Sequence, residues 1–167
     1  MTVELQKLAE ADKEIPGTPS WISMTRNYLS WISPLDIDGV TVEGLQVRVE
    51  AHEQLANEAV RAQLEYRAPK GKTEPLARVE WKPLAGHNNK GRGPKDLRFR
   101  PFRQTHVHRF ALNWDDERQR LFSGNLPIAI PIQGVDSYSS FLDICAVELR
   151  VKNMSLIPVP PWQERML

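Results

Sequence analysis

The chain has 167 residues, of which 41% are hydrophobic and 26% charged, with 22 lysines and arginines against 21 aspartates and glutamates. This composition is typical of a globular protein with one core, and no stretch reaches the roughly 18 apolar residues of a membrane helix. The single cysteine, Cys145, excludes a disulfide framework and a cysteine-based zinc site. We therefore expect a cytoplasmic protein without a membrane partner.

The N-terminal third contains two segments with roughly helical spacing of apolar residues. Residues 2–14 predict a short helix, which the prolines and glycine of 16–19 bring to an end. Between Trp21 and Ile32, large apolar residues recur every three or four positions, which suits a helix. The tryptophans and tyrosine of this segment suit a strand equally well, so both structures remain open.

From Val40 onward the apolar period changes from about four to two. Residues 40–51, 60–67 and 77–81 each alternate apolar with polar side chains, and short polar connections separate them. Alternation places all apolar side chains on one face of a sheet. The three segments therefore predict an antiparallel meander with one solvated face.

The middle of the chain is strongly basic. Between Arg67 and Arg109, twelve basic residues face three acidic ones, a net charge of +9, so the remainder of the chain carries −8. Glycines and Pro94 predict a long loop over 83–101. Such a basic segment is typical of a polyanion-binding surface, although its charges could instead pair with the acidic ends of the same chain. The residues predicted to bind nucleic acid are Lys90, Arg92, Lys95, Arg98, Arg100 and Arg103.

Two phenylalanines, Phe99 and Phe102, alternate with the arginines of this segment. Aromatic rings among arginines can stack on the bases of a single strand. The same alternation also fits a further strand with its phenylalanines inward, which is the structure we expect.

The C-terminal half predicts a strand over 105–114, an apolar segment over 125–132 and a helix over 138–151 with Asp136 or Ser137 as its N-cap. Two prolines exclude the apolar segment from the centre of a sheet. The extended tail either packs through Trp162 or docks a partner. The predicted fold is α+β, a single domain over 1–167, with an antiparallel sheet of about five strands covered by one or two helices, 138–151 and 20–32.

Chemistry concentrates in Thr105-His106-Val107-His108, where the period of two places both imidazoles on one face, with Phe110 and Leu112. Two such rings can chelate a divalent ion, and Glu80 or His87 is the nearest third ligand in sequence. Without a metal, His87, His106 and His108 could act as acid and base on a phosphodiester, with Lys82 or Arg103 stabilising charge. This role requires rings that face an accessible, positively charged cleft. The alternative is that the histidines are structural, with hydrogen bonds to the backbone or to Glu80.

Glu80-Trp81-Lys82 also matches the E-x-K half of a nuclease site in which a carboxylate binds magnesium. That site needs an acidic residue on the preceding strand, for which Glu65 is available, and a parallel core. A meander does not supply the parallel core, so we expect these residues to form part of a solvated face.

Residues 76–112 resemble the TumE-like bacterial toxin–antitoxin proteins. The similarity lies in the strand that ends at Pro83, the turn His87-Asn88-Asn89, the basic loop and the strand that begins at Thr105. The resemblance implies a small α+β domain that acts on or near RNA beside a helix-turn-helix partner. It also implies that His87, His106 and His108 match the recurring histidines of that family.

Two hypotheses on function follow. In the first, the chain is a bacterial toxin–antitoxin or defence-type protein whose basic loop binds nucleic acid and whose histidines form a ribonuclease site, with or without one divalent metal ion. In the second, it is a non-catalytic accessory module that binds another protein and has structural histidines.

Overall fold

A computed structural model describes residues 4–163, in which the largest element is a seven-stranded antiparallel sheet. Its strands are β1 (Ile22–Ser23), β2 (Tyr28–Ile37), β3 (Val40–His52), β4 (Val60–Arg67), β5 (Thr73–Trp81), β6 (His106–His108) and β9 (Ile130–Pro131), and they lie side by side in that order. A separate hairpin contains β7 (Trp114–Asp115) and β8 (Arg120–Leu121). The expected number of about five strands was too low, because β1 and β9 are too short to show a period in the sequence.

The predicted meander is confirmed as β3, β4 and β5. One cross-strand row joins Val49, Ala62 and Val79, which are all fully buried. The neighbouring row on the opposite face joins Glu50, Arg61 and Glu80, which are not fully buried, and continues to His106 on β6. The sheet therefore has one apolar face and one polar face, and β6 extends the polar face with histidines.

Residues 20–32 do not form the helix that was one of two expectations for them. They form β1, a single 3-10 turn over Thr25–Asn27, and the first half of β2. Arg26 and Asn27 have φ values of 65° and 64°, which a right-handed helix cannot accommodate. Pairing of β2 with β3 from Tyr28 onward instead satisfies the backbone in a strand.

Three α-helices are present among residues 4–163: α1 (Leu5–Glu10), α2 (Phe110–Asn113) and α3 (Tyr138–Glu148). Helix α3 packs on the apolar face of the sheet, where the rings of Phe141 and Trp81 stack with centroids 5.5 Å apart. Ser137 is its N-cap and forms a capping box with Ser140, so Ser137 rather than Asp136 fills this position. None of the described helices has the length and apolar character needed to cross a membrane.

The C-terminal tail packs against the protein itself. The Trp162 ring meets the Tyr138 ring edge-on, with centroids 5.9 Å apart. The carbonyl oxygen of Pro158 accepts hydrogen bonds from the Tyr138 hydroxyl at 3.1 Å and from Trp21 Nε1 at 2.7 Å. Of the two expected roles for the tail, the described residues therefore show internal packing.

The strand expected over 105–114 is much shorter than predicted. Strand β6 ends at His108, and the chain then enters α2, so Phe110 and Leu112 do not extend the histidine face. Residues Phe110–Asn113 are helical, and a helical backbone bonds within its own segment and so does not pair with β5. Asn113, at the end of α2, is fully buried. Its amide donates to Ile128 O at 2.8 Å, and its carbonyl oxygen accepts from Ile128 N at 2.8 Å.

Candidate functional site

Three histidines meet at the edge of the polar face. His106 and His108 lie opposite Glu80 and Arg78 on β5, and His87 comes from the loop between β5 and β6. Each histidine has a ring nitrogen within 4.8 Å of ring nitrogens of the other two. The centroid of the His108 ring lies 4.9 Å from the centroid of the His87 ring and 5.0 Å from that of the His106 ring. The structure thus brings together the three histidines that the sequence singled out.

A short irregular segment, residues 125–129, crosses this edge, and we call it the strap. Polar side chains bind the backbone of every strap residue. Arg78 donates to Asn125 O at 3.4 Å, and His108 Nδ1 contacts Leu126 O at 2.7 Å. The remaining contacts are His87 Nε2 to Pro127 O at 3.0 Å, Asn113 to both backbone groups of Ile128, and Asn89 to both backbone groups of Ala129. Because no strand pairs with most of the strap, these side chains satisfy its backbone groups.

The strap and its neighbours cover the two histidines of β6. His106 and His108 are each 2% exposed, and His87 is half-buried. Burial lowers the pKa of His108 to about 2, with a further lowering by the nearby Arg78 guanidinium. Burial also lowers the pKa of His106, against the opposing effects of the Gln104 carbonyl and the Glu80 carboxylate. Both rings are therefore neutral at neutral pH and almost closed to solvent.

Glu80 contributes a carboxylate to one side of the cluster. Its Oε2 lies 3.8 Å from His106 Nε2, and its Oε1 accepts from Arg61 Nε at 3.1 Å. Glu80 also borders a pocket of about 200 Å³ that Tyr28 and Leu84 help to line. Of the predicted metal ligands, His106 and Glu80 are therefore neighbours. The group of three side chains with close ligand atoms consists of His87, His106 and His108, without Glu80.

Lys82 follows β5 and is exposed. Its Nζ lies 5.9 Å from the centroid of the Trp81 ring, and its backbone N–H donates to Thr105 Oγ1 at 3.1 Å. No contact between Lys82 Nζ and the histidine rings is found in the described part of the chain. Its predicted catalytic role stays a prediction.

The nuclease-type arrangement of Glu65 and Glu80 is not formed. Arg61 pairs with Glu80 across the sheet, and Glu65 pairs with Pro75, so four residues of strand, or roughly 13 Å, separate the two carboxylates along β4. The strands are antiparallel throughout this sheet. Glu65 instead is buried in a polar network, where it pairs with Arg48 Nη2 at 2.9 Å.

The loop between β5 and β6 contains the predicted basic segment. Its residues 87–103, which we call the basic loop from here on, lie beside the histidine cluster, with all of their cations at the surface. All six cations predicted to bind nucleic acid are exposed: Lys90, Arg92, Lys95, Arg98, Arg100 and Arg103. The ion pairs found among residues 4–163 involve none of them. The alternative, in which the acidic ends of the chain neutralise this loop, is therefore not seen in the described residues.

The two phenylalanines of the loop have opposite environments. Phe102 is 6% exposed and its ring packs 5.4 Å from the His106 ring, whereas Phe99 is 80% exposed. The strand expected here does not form, and Phe102 instead makes an isolated bridge with His87. A 3-10 turn over Lys95–Leu97 precedes Phe99 and breaks the period of two.

Two further arginines, which no pattern in the sequence indicates, lie next to the basic loop. A pocket of about 450 Å³ is lined by Arg92 together with Arg118, Arg120 and Ser123. Arg118 pairs with Asp115 at 3.1 Å. These arginines lie outside the basic stretch of the sequence, so only the hairpin of β7 and β8 shows that they are neighbours of Arg92.

No family model, curated protein or solved structure matches this chain. The resemblance to the TumE-like proteins thus stays a prediction. The proposed function therefore depends on the residues of the basic loop and of the histidine cluster.

Proposed function

We propose that this protein binds single-stranded nucleic acid, with RNA as the expected class, through its basic loop. The observation that carries the proposal is the position of Phe99, which is 80% exposed between Arg98 and Arg100. The Phe99 ring is exposed to solvent, and the cations around it have no ion-pair partner in the described residues. The loop therefore has the two features that single-strand binding uses. These are a flat surface for a base and positive charge for the phosphates.

The magnitudes favour an appreciable affinity. Stacking of one base on an aromatic ring contributes about 1–3 kcal/mol. When log K for binding is plotted against the logarithm of the salt concentration, each phosphate that a cation neutralises makes the slope more negative by about 0.7 for a single strand. One ring and several cations therefore suffice for measurable binding at low salt.

The loop is held in a defined shape before any ligand binds. Gly91 N donates to Arg98 O at 2.6 Å, which closes the tip, and His87 and Phe102 exchange two backbone hydrogen bonds at the base. Asn89, 1% exposed, fixes the loop to Ala129 of the strap. Binding to a preformed loop requires less ordering of the chain, and so more of the contact energy appears as affinity.

Arg120 extends the positive surface beyond Arg92, and Arg118, which pairs with Asp115, lines the same pocket. This arrangement supports a path for a strand several nucleotides long, because a single loop tip spans only a few phosphates. Hydrolysis by His87, His106, His108 and Lys82, the toxin–antitoxin role and the helix-turn-helix partner stay predictions. The non-catalytic protein-binding module also stays a prediction.

Fluorescence anisotropy with labelled oligouridine and oligothymidine over a range of sodium chloride concentrations tests the proposal. We expect saturable binding that weakens steeply with salt. Phe99→Ala should weaken binding about 5- to 100-fold at unchanged salt slope, because it removes stacking and no charge. A variant with Arg98, Arg100 and Arg103 changed to Gln should make this slope less negative by about 2, because three cations no longer neutralise phosphates.

Matched controls separate the loop from general effects of charge and apolar surface. Val147→Ala removes an exposed apolar side chain on α3, and Lys152→Gln removes an exposed cation after it. Both should bind as the unchanged protein does. The proposal would be overturned if neither oligonucleotide bound at low salt. It would also be overturned if Phe99→Ala and the arginine variant both bound as tightly as the unchanged protein. Gel analysis of the titrated RNA shows whether cleavage accompanies binding.

A further inference from the structure

The histidine cluster has a feature that nucleic-acid binding does not explain. Each ring uses one nitrogen for a backbone carbonyl: His106 Nδ1 contacts Gln104 O at 2.8 Å, His108 Nδ1 contacts Leu126 O at 2.7 Å, and His87 Nε2 contacts Pro127 O at 3.0 Å. A carbonyl oxygen only accepts, so each of these nitrogens carries the proton. In the neutral rings the lone pair is then on the opposite nitrogen.

The protonation of His87 is fixed a second time. Its Nε2 also lies 2.9 Å from Asn89 Oδ1. The orientation of that amide is set by Ala129, whose N–H donates to Oδ1 and whose carbonyl accepts from Nδ2. Both neighbours of His87 Nε2 are therefore acceptors. The lone pairs of the cluster lie on His87 Nδ1, His106 Nε2 and His108 Nε2.

One of these lone pairs faces a negative charge. His106 Nε2 and Glu80 Oε2 are 3.8 Å apart, with the histidine 2% exposed and the carboxylate largely covered. Arg61 pairs with the other carboxylate oxygen, Oε1, at 3.1 Å. His106 Nε2 and Glu80 Oε2 are then two neighbouring acceptors that a cation or a proton between them would stabilise. The hydrogen bond to Gln104 already uses the proton of the neutral ring.

We propose that His87 Nδ1, His106 Nε2 and His108 Nε2 bind one zinc ion, with the carboxylate of Glu80 on its fourth side. Three imidazoles and a carboxylate are a common ligand set for Zn²⁺. Imidazole ligands usually donate their second nitrogen to a carbonyl, which is what all three rings do here. One nitrogen of each ring lies within 4.8 Å of a nitrogen of the other two, and binding of the ion would draw the three ligand nitrogens to the roughly 3.3 Å that two ligands of a tetrahedral ion require.

The location of the ligands defines what the ion does. His106 and His108 belong to the sheet, and His87 begins the basic loop. Zinc therefore fastens the base of this loop to the sheet, beside the strap. This structural role suits a buried site with little access for a substrate, and it is independent of whether the loop binds nucleic acid.

The test uses the full chain, stripped of metal with a chelator and dialysed, then titrated with zinc chloride in a calorimeter. We expect one ion per chain, a raised Tm, and, with cobalt(II) in place of zinc, the visible absorption of a tetrahedral site. His87→Gln and His106→Gln should each weaken zinc binding by more than the roughly 10–100-fold that loss of an outer partner costs. Glu80→Gln should weaken it less than either.

The fourth histidine provides a matched control. His52 lies on β3, where its ring packs edge-on against Tyr28, and His52→Gln should bind zinc as the unchanged protein does. If His106→Gln does not fold, the half-buried His87 carries the test. Absence of zinc uptake by the folded stripped protein, or undiminished uptake by His87→Gln, would overturn the proposal. Because no oligonucleotide is present, either result is distinguishable from a failure of the nucleic-acid assay.

Discussion

Asn89 and Ala129 form a reciprocal pair of hydrogen bonds between a loop and the strap. The Asn89 amide donates to Ala129 O at 3.0 Å, and Ala129 N donates to Asn89 Oδ1 at 2.9 Å. The asparagine side chain thus takes the place of a neighbouring strand for this residue of the strap. It also connects the basic loop to the histidine cluster, since His87 contacts the same Oδ1.

Asn89→Ala should lower the free energy of unfolding by about 2–6 kcal/mol. The substitution leaves the buried N–H and C=O of Ala129 without partners, and each unsatisfied group costs about 1–3 kcal/mol. Urea denaturation measures the change. The neighbouring Asn88 is exposed and accepts one bond, from Lys90 N, so Asn88→Ala should cost well under half as much. Equal stability of the two variants would show that the pair contributes nothing.

Gly93→Ala should destabilise the protein more than Gly39→Ala. Both glycines have positive φ, 77° and 75°, and so both substitutions cost about 1 kcal/mol in backbone strain. A Cβ at Gly93 would lie 2.7 Å from Ile128 Cγ2, whereas nothing lies within 4 Å of one at Gly39. This overlap with the strap adds about 1–3 kcal/mol. Denaturant midpoints that coincide for the two variants would contradict the packing of the loop on Ile128.

The metal-free protein should lose stability as the pH falls below about 6.5. Burial lowers the pKa of His108 to about 2 and also lowers the pKa of His106, whereas both rings titrate near 6.5 in the unfolded chain. Below that pH the unfolded state binds protons that the folded state does not. The free energy of unfolding should therefore fall by up to about 1.4 kcal/mol per pH unit for each histidine, and it should be insensitive to these two groups above pH 7.5.

Urea denaturation in the presence of a chelator, between about pH 4.5 and 7.5, measures this dependence. His108→Asn provides the comparison, because an amide keeps a donor for Leu126 O and cannot titrate. At acid pH, the free energy of unfolding of this variant should fall less steeply with decreasing pH, by up to the roughly 1.4 kcal/mol per pH unit that one proton contributes. A wild-type stability that does not change between pH 7 and pH 5 would mean that the rings titrate freely in the folded protein.

Ser137→Ala should lower the free energy of unfolding by about 1 kcal/mol, because it removes the acceptor for Ser140 N at the start of α3. Ser139 lies exposed within the first turns of the same helix, where alanine is a better helix former than serine. Ser139→Ala should therefore leave stability unchanged or slightly raised. Thermal or urea denaturation of the two variants distinguishes a capping effect from a general effect of serine removal.

The elements that were predicted well are those with a repeated local signal. Strands β3 to β5 show a clean period of two, and α3 has both a helical period and a cap at Ser137. Prolines in 125–132 correctly excluded that segment from the centre of the sheet, and Ile130–Pro131 forms an edge strand. The strand expected at Phe99 was wrong because a few alternating residues do not reveal whether a neighbouring strand has free backbone groups.

The candidate site shows the same division. Spacing alone placed His106 and His108 on one face of a strand, and composition alone identified the basic loop. Asn89 and Asn113 gave no signal, because a polar residue in a loop is ordinarily solvated. Their burial, and the neutral state of the histidines, depend on residues 125–129, which lie 15 to 47 positions along the chain from the side chains that bind them.

By itself, therefore, the sequence determined which faces are apolar, where the long loop lies and which of its residues carry charge, since these depend on local period and composition. The tertiary structure alone decided that three rings share one buried place, that their protons are directed to the carbonyls of Gln104, Leu126 and Pro127, and that Phe99 stays in water while Phe102 does not. Except for the local bond between His106 and Gln104, these properties depend on contacts between segments far apart in the chain, which no local pattern specifies.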